Sequence, residues 1–125
     1  MFNDTDPIAT LAVKDLDAAR RFYEETLGLE RIPTQEPVLS YRCGSSSLLV
    51  YQSDYAGTNK ATAVTWIIED DLPGLIDRLK GKGVAFEKYD IPGARHDGEM
   101  HVFGTLRNAW FADPDGNIHS LVSRG

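Results

Sequence analysis

Residues 8–33, IATLAVKDLDAARRFYEETLGLERIP, and residues 62–88, TAVTWIIEDDLPGLIDRLKGKGVAFEK, run through the same series of events. Each passes from a strand through an aspartate-capped helix to a glycine and a second strand. Laid over the first stretch, the second sets Asp70 on Asp15, Gly83 on Gly28 and Ile68 on Val13, with a one-residue slip inside the helix where Leu72 matches Leu16. A repeat of this length is one supersecondary unit copied, neither copy able to bury its apolar face alone. Two such copies facing each other leave a cleft, and clefts are where small molecules bind. The expected organisation is one α+β domain over 1–125, with a first module at 8–52, a linker at 53–61 and a second module at 62–123.

The composition bounds the function. A chain of 125 residues, 42% apolar, is long enough for one real core and too short for two. Its formal net charge of −6, with no clustered Lys/Arg stretch, lacks the electrostatic footprint for nucleic acid or an anionic membrane surface. No apolar run approaches the roughly 18 residues of a membrane span. The N-terminal stretch MFNDTDPIAT has neither the basic start nor the apolar run of a signal peptide. Cys43 stands alone, which fits a reducing compartment. A cytoplasmic protein without nucleic-acid or membrane partners is expected.

Along the chain, Ile8–Val13 reads as the first strand and Asp15 as an N-cap. Leu16, Ala19, Tyr23 and Leu27 mark the buried face of the helix that follows, and Gly28 suits its left-handed end. Leu29–Ile32, Val38–Cys43 and Leu48–Gln52 read as short strands, with a tight turn at Gly44–Ser47. In the second unit Val64, Trp66 and Ile68 alternate as in a strand. Asp70 or Asp71 caps a helix with Pro73 in its first turn and Leu72, Leu75, Ile76 and Leu79 on its apolar stripe. Gly81 and Gly83 end it, and Val84–Lys88 starts a further strand. Asp113-Pro114-Asp115-Gly116 is a type I turn signal joining Asn108–Ala112 to Asn117–Ser123. Residues 90–106 read as the one long irregular stretch, and a loop of that length is more often functional than idle.

These elements, in this order, resemble the vicinal oxygen chelate superfamily of glyoxalase I, extradiol dioxygenases and bleomycin-resistance proteins. The resemblance rests on Val13-Lys14-Asp15-Leu16-Asp17, Phe22-Tyr23 and Leu27-Gly28-Leu29 near the start. Near the end it rests on Asp113-Pro114-Asp115-Gly116-Asn117. It implies two βαβββ modules whose curled mixed sheets surround a shared cleft, in a homodimer.

Enzymes of the superfamily hold one divalent ion in that cleft, where it acts as a Lewis acid on vicinal substrate oxygens. Carried over by position, the resemblance puts the four ligand sites on Ile8, on a residue within Leu48–Tyr51 best matched by Val50, on Ala63 or Val64, and on Ser120. Imidazole and carboxylate are what such a site needs, and none of these supplies either. The usual metal site is therefore expected to be absent, and no cofactor is expected.

Other residues are candidates for binding. Tyr41, Tyr51, Phe103 and Trp110 lie on or beside strands expected to line the cleft, where rings stack on planar ligands. Arg42, Arg107 and Glu99 are the charged groups best placed to orient a ligand, although each also fits an exposed strand or loop position. His96 and His101 share the 90–106 stretch with Asp97 and Glu99. Their spacing matches no metal motif, and a solvated position on the protein surface explains them better. His101 and Glu99 remain candidates for ligand contact or for a general base. His119 alternates to the far side of its strand from Ser120 and reads as a structural histidine packed with Leu121. Cys43, Trp66 and Phe111 read as core.

Two functions follow as expectations. The first is a metal-independent protein that binds an apolar or aromatic small molecule in the inter-module cleft through Tyr41, Tyr51, Phe103, Trp110, Arg107, Glu99 and His101, as the bleomycin-resistance branch does. The alternative is a lyase or isomerase acting on a carbonyl compound, with a non-standard metal site or a loop general base.

Overall fold

The computed structural model describes residues 1–35 and 37–124. Two separate mixed sheets follow from the two halves of the repeat. The first is built from β1 (Ala9–Val13), β2 (Glu30–Ile32), β3 (Val38–Cys43) and β4 (Ser46–Gln52), in the order β1-β4-β3-β2. The second holds β5 (Thr62–Ile67), β6 (Phe86–Glu87), β7 (Arg95–Asp97), β8 (Met100–Phe103), β9 (Leu106–Ala112) and β10 (Ile118–Ser123). Its order is β5-β10-β9-β8-β7, with β6 also paired to β9. In each sheet the first strand pairs in parallel with the last, β1 with β4 and β5 with β10, so the copied unit has copied its topology. The architecture is α+β, with two curled, unclosed mixed sheets and few helices.

Each module buries one face of its sheet under a helix. In the first, Leu11, Val13, Leu39, Tyr41, Leu48 and Val50 alternate onto one side and meet Ala19 and Tyr23 of the first helix. In the second, Ala109, Phe111, Leu121 and Met100 meet Leu72, Ile76 and Leu79 of α2 (Leu72–Gly81). Phe22, Leu27 and Trp66 pack against both clusters and join the modules. The opposite faces of the two sheets carry no helix and are here called the open faces.

The helices differ in a way that explains the slip in the repeat. Asp15 caps α1 (Leu16–Arg20) by accepting from the backbone N–H groups of Asp17 and Ala18, and Asp71 caps α2 by accepting from Gly74. Asp71, not Asp70, is thus the counterpart of Asp15, and Leu16 and Leu72 match without a slip beside them. The stretch from Asp15 to Gly28 is one residue longer than that from Asp71 to Gly83. The first helix takes up the extra residue as a π-helical turn over Arg21–Thr26, where the N–H of Leu27 bonds back five residues to the carbonyl of Phe22 at 2.9 Å. Both glycines then adopt left-handed φ, +71° and +92°.

The irregular stretch expected over 90–106 is not irregular. It contains the β7–β8 hairpin, turning at Gly98 with φ of +61°, and runs through Gly104 into β9. Its strands are too short to show alternation, so their turn glycines read as breakers of structure. The Asp113–Gly116 turn closes as expected, with Gly116 N bonded to Asp113 O at 3.0 Å. No helix among the described residues is long and apolar enough to cross a membrane.

Candidate functional site

Register and alternation settle which side chains reach the open faces. On the first sheet Thr10, Ala12, Leu49 and Tyr51 point away from α1, because their neighbours Leu11, Val13, Leu48 and Val50 form the core. On the second sheet Ser120 pairs with Trp110 and with Thr65, while His119 and Leu121 lie on the helix side. Val64 packs into the first core while Thr65 and Ile67 take the open face, which leaves Ala63, the unpaired residue of a bulge opposite Ile118 and His119, as the remaining position on β5. Val50 is fully buried under α1, which moves the position on β4 to Leu49 or Tyr51.

The side chains at the four positions to which the resemblance carries a divalent-ion site are isoleucine, leucine or tyrosine, alanine and serine. Ser120 spends its hydroxyl hydrogen on Oδ1 of Asn108 at 2.7 Å. Alkyl groups and a neutral hydroxyl do not fit such an ion. Among the described residues no group of three His, Cys, Asp or Glu side chains is placed to hold one.

A different set of side chains gathers on the open face of the second sheet. Trp110 of β9 is half-buried, with its ring centroid 4.7 Å from that of His101 on β8 and 5.2 Å from that of Tyr89, both contacts edge-on. His96 on β7 stands 4.9 Å from His101. Trp110 donates its indole hydrogen to Oγ1 of Thr62 at 3.2 Å, and Glu87, paired with Trp110 across β6–β9, accepts a hydrogen bond from the Tyr89 hydroxyl. Burial first, and then the carboxylate of Glu87, pushes the Tyr89 hydroxyl up to about 12.

The histidines of this group have defined roles. His101, expected as an exposed loop residue, has no exposed area. Its Nε2 accepts from the backbone N–H of Tyr89 at 2.8 Å, which leaves the hydrogen on Nδ1, 3.3 Å from the carbonyl of Asn108. Both nitrogens are committed to backbone, so His101 positions Tyr89 and presents no free lone pair to a metal. His96 is exposed and its Nε2 lies 2.9 Å from the carbonyl of Tyr89. The carbonyl can only accept, so Nε2 carries a hydrogen and, in the neutral ring, Nδ1 is the acceptor.

The remaining candidates scatter. Tyr41 has no exposure. It stacks on Tyr23 with centroids 5.9 Å apart and donates to Glu24 at 2.9 Å, on the helix side of β3. Burial and that carboxylate push its hydroxyl above the ordinary tyrosine value. Tyr51 is 40% exposed on the open face of the first sheet. Phe103 is half-buried two residues beyond His101 on β8, on the same face. Arg107 shares the helix-side parity of Ala109 and Phe111, and Arg42 is exposed. Glu99 turns toward α2, 3.1 Å from Lys80 and 3.9 Å from Lys88, away from the open face. The structure therefore joins Trp110 to His101, keeps Tyr51 on the other sheet, and sends Tyr41, Arg107 and Glu99 elsewhere. Tyr89, Glu87 and Thr62 carried no motif and were visible only through the strand pairing.

The profile of the Glyoxalase/Bleomycin resistance protein/Dioxygenase superfamily matches residues 6–119. The chain belongs to that superfamily. No curated protein sequence matches it. Solved structures share its fold at low identity. The fosfomycin resistance protein FosX from Listeria monocytogenes is 19% identical, with 96% of this chain and 93% of that one covered and a TM-score of 0.72. A virulence protein from Salmonella typhimurium is 17% identical over the whole of both chains with a TM-score of 0.72. A lactoylglutathione lyase from Agrobacterium tumefaciens is 17% identical over 97% of this chain and 95% of that one, with a TM-score of 0.70. FosX has also been solved with Mn(II) and sulfate.

Proposed function

We propose that this superfamily member binds an apolar or aromatic small molecule on its open faces without a metal ion. The observation that carries the reading is the donor set: isoleucine, leucine or tyrosine, alanine and serine stand where a superfamily enzyme needs imidazole and carboxylate. Beside them stands an aromatic group built from Trp110, Tyr89, His101 and His96. Trp110 supplies a ring for stacking, and Tyr51 and Phe103 supply further apolar surface on the same side of their sheets. Nδ1 of His96 and the carboxylate of Glu87 are the polar groups that orient a ligand carrying a hydrogen-bond donor. Exposed Ile8, immediately before β1, and exposed Ile67, at the end of β5, flank two strands that each bear a single sheet neighbour and fit a homodimer that covers them.

The alternative, a lyase or isomerase with a general base from residues 96–101, has less support. Glu99 is engaged by two lysines on the helix side, and the lone pair of His101 is taken by Tyr89 N–H. A base must reach the proton it removes.

A thermal-shift screen of aromatic metabolites and antibiotics tests the proposal, run in parallel on the wild type and on Trp110→Ala. A compound at 100 times its Kd stabilises by about 2.7 kcal/mol, a rise of several degrees. Compounds that shift the wild type and not the variant support the reading. Equal shifts in both would move the ligand off Trp110 and overturn it.

A further inference from the structure

On the side that carries the helices, the two modules leave an apolar pocket between them that opens to solvent. A cavity of about 120 Å³ lies where the end of the first helix meets α2 and β5. Leu27 and Leu29 line it from the first module, and Trp66, Leu75, Leu79 and Phe111 from the second. Every lining side chain is an alkyl group or an aromatic ring. The one polar side-chain atom among them, Nε1 of Trp66, already donates to His119 at 2.9 Å.

Size and chemistry together define what fits. Water needs two or more polar partners to settle in a cavity, and these side chains offer none. A closed apolar cavity of roughly 150 Å³ lined by similar side chains takes up benzene or xenon, and this pocket offers about 120 Å³ of the same lining behind an open mouth. A charged or strongly polar group would lose its hydration with nothing to replace it. Leu27, Leu29 and Leu75 are only half-buried, so the cavity is reached from the surface between the helices without unfolding a core strand.

We propose that this inter-module cavity is a binding site for a small uncharged apolar molecule of about the size of one benzene ring, separate from the open faces and independent of the function assigned to them. An occupant touches both modules at once and therefore ties the end of the first helix to α2.

The test uses benzene and xenon as probes on full-length protein with labelled leucine methyl groups. Saturable shifts are expected at Leu27, Leu29, Leu75 and Leu79, with Leu49 on the open face unmoved and the melting temperature raised by a few degrees near saturation. Leu75→Phe, which fills the cavity from a half-buried position, is expected to weaken the response at least tenfold. Leu29→Phe serves the same purpose from the other module if the first variant does not fold. Trp110→Ala is expected to leave the response unchanged. Absence of saturable shifts in the wild type, shifts confined to Leu49, or loss of the response in Trp110→Ala would overturn the proposal.

Discussion

Trp66 donates its indole hydrogen to Nδ1 of His119 at 2.9 Å, and that one bond fixes the tautomer of a ring with no exposure to water. The hydrogen of the neutral ring must then sit on Nε2, 3.0 Å from the hydroxyl oxygen of Tyr23. Tyr23 in turn donates to Oδ2 of Asp113 at 2.7 Å, and the other carboxylate oxygen accepts from the N–H groups of Asp115 and Asn117. The chain of donors runs from β5 through β10 and the first helix to the Asp113–Gly116 turn. It is satisfied at each link, the condition under which a buried polar network specifies a single packing.

His119 makes stability depend on pH. Burial holds its imidazole at about 4 in the folded protein, below the ordinary value near 6.5. Between those values the unfolded chain binds a proton that the folded chain does not, so stability is complete above about pH 6.5 and falls as pH drops toward 4. The full loss from this ring is about 3 kcal/mol. Denaturant unfolding at pH 7 and pH 4.5 measures it, and His119→Gln is expected to flatten that part of the profile. An unchanged slope in the variant would place the acid sensitivity elsewhere.

Tyr23→Phe removes one oxygen and leaves two partners behind. Nε2–H of His119 loses its acceptor in a buried site, and Asp113 loses one of its donors. The expected cost is about 1–3 kcal/mol, read as a lower denaturant midpoint with an unchanged m-value. The stack of Tyr23 on Tyr41 survives in the variant, so a loss much larger than this would mean that ring packing had changed as well.

Asn117 connects the terminal turn to the first module, its side-chain amide donating to Ala12 O and to Asp113 Oδ2, each at 2.8 Å. Asn117→Ala is expected to destabilise by about 1–3 kcal/mol and to speed amide exchange at the β1 end of the first sheet. Exchange altered only within the 113–117 turn would show that the amide does not couple the modules.

The charged candidates from the sequence separate by face. Glu99 lies between Lys80 and Lys88 on the helix side with those lysines at least half-exposed, so Glu99→Gln is expected to cost less than about 1 kcal/mol and to leave ligand binding unaltered. Glu87→Gln is expected to weaken binding of ligands that carry a donor, because that carboxylate sits with Tyr89 and Trp110. Titration of one ligand against both variants checks the contrast, and equal effects would contradict the assignment of faces.

Much of this was legible in the residues. The copied unit pointed to two curled sheets, and Asp15, Gly28 and the Asp113–Gly116 turn marked a helix start, a helix end and a hairpin, because caps and turns act locally. His119 was readable as structural because strand alternation sets it opposite Ser120. Tyr41 shows what was there to read and was missed. It shares the parity of Leu39 and Cys43 while Ser40 and Arg42 take the other side, and that pattern marks a core tyrosine. The π-helical turn was not legible, since one extra residue in an amphipathic helix leaves its apolar pattern almost intact. The β7–β8 hairpin and the Tyr89–His101 bond depend on pairings between distant strands, which local pattern does not record.

The most direct test of metal-independent binding is a thermal-shift titration with a compound from the screen, on protein stripped with EDTA and on the same protein with added Mn²⁺ or Zn²⁺. The donor set predicts the same ligand-induced rise in both samples and no rise from the metal alone. A rise that appears only with metal, or a metal-induced rise lost in His96→Ala, would contradict the account.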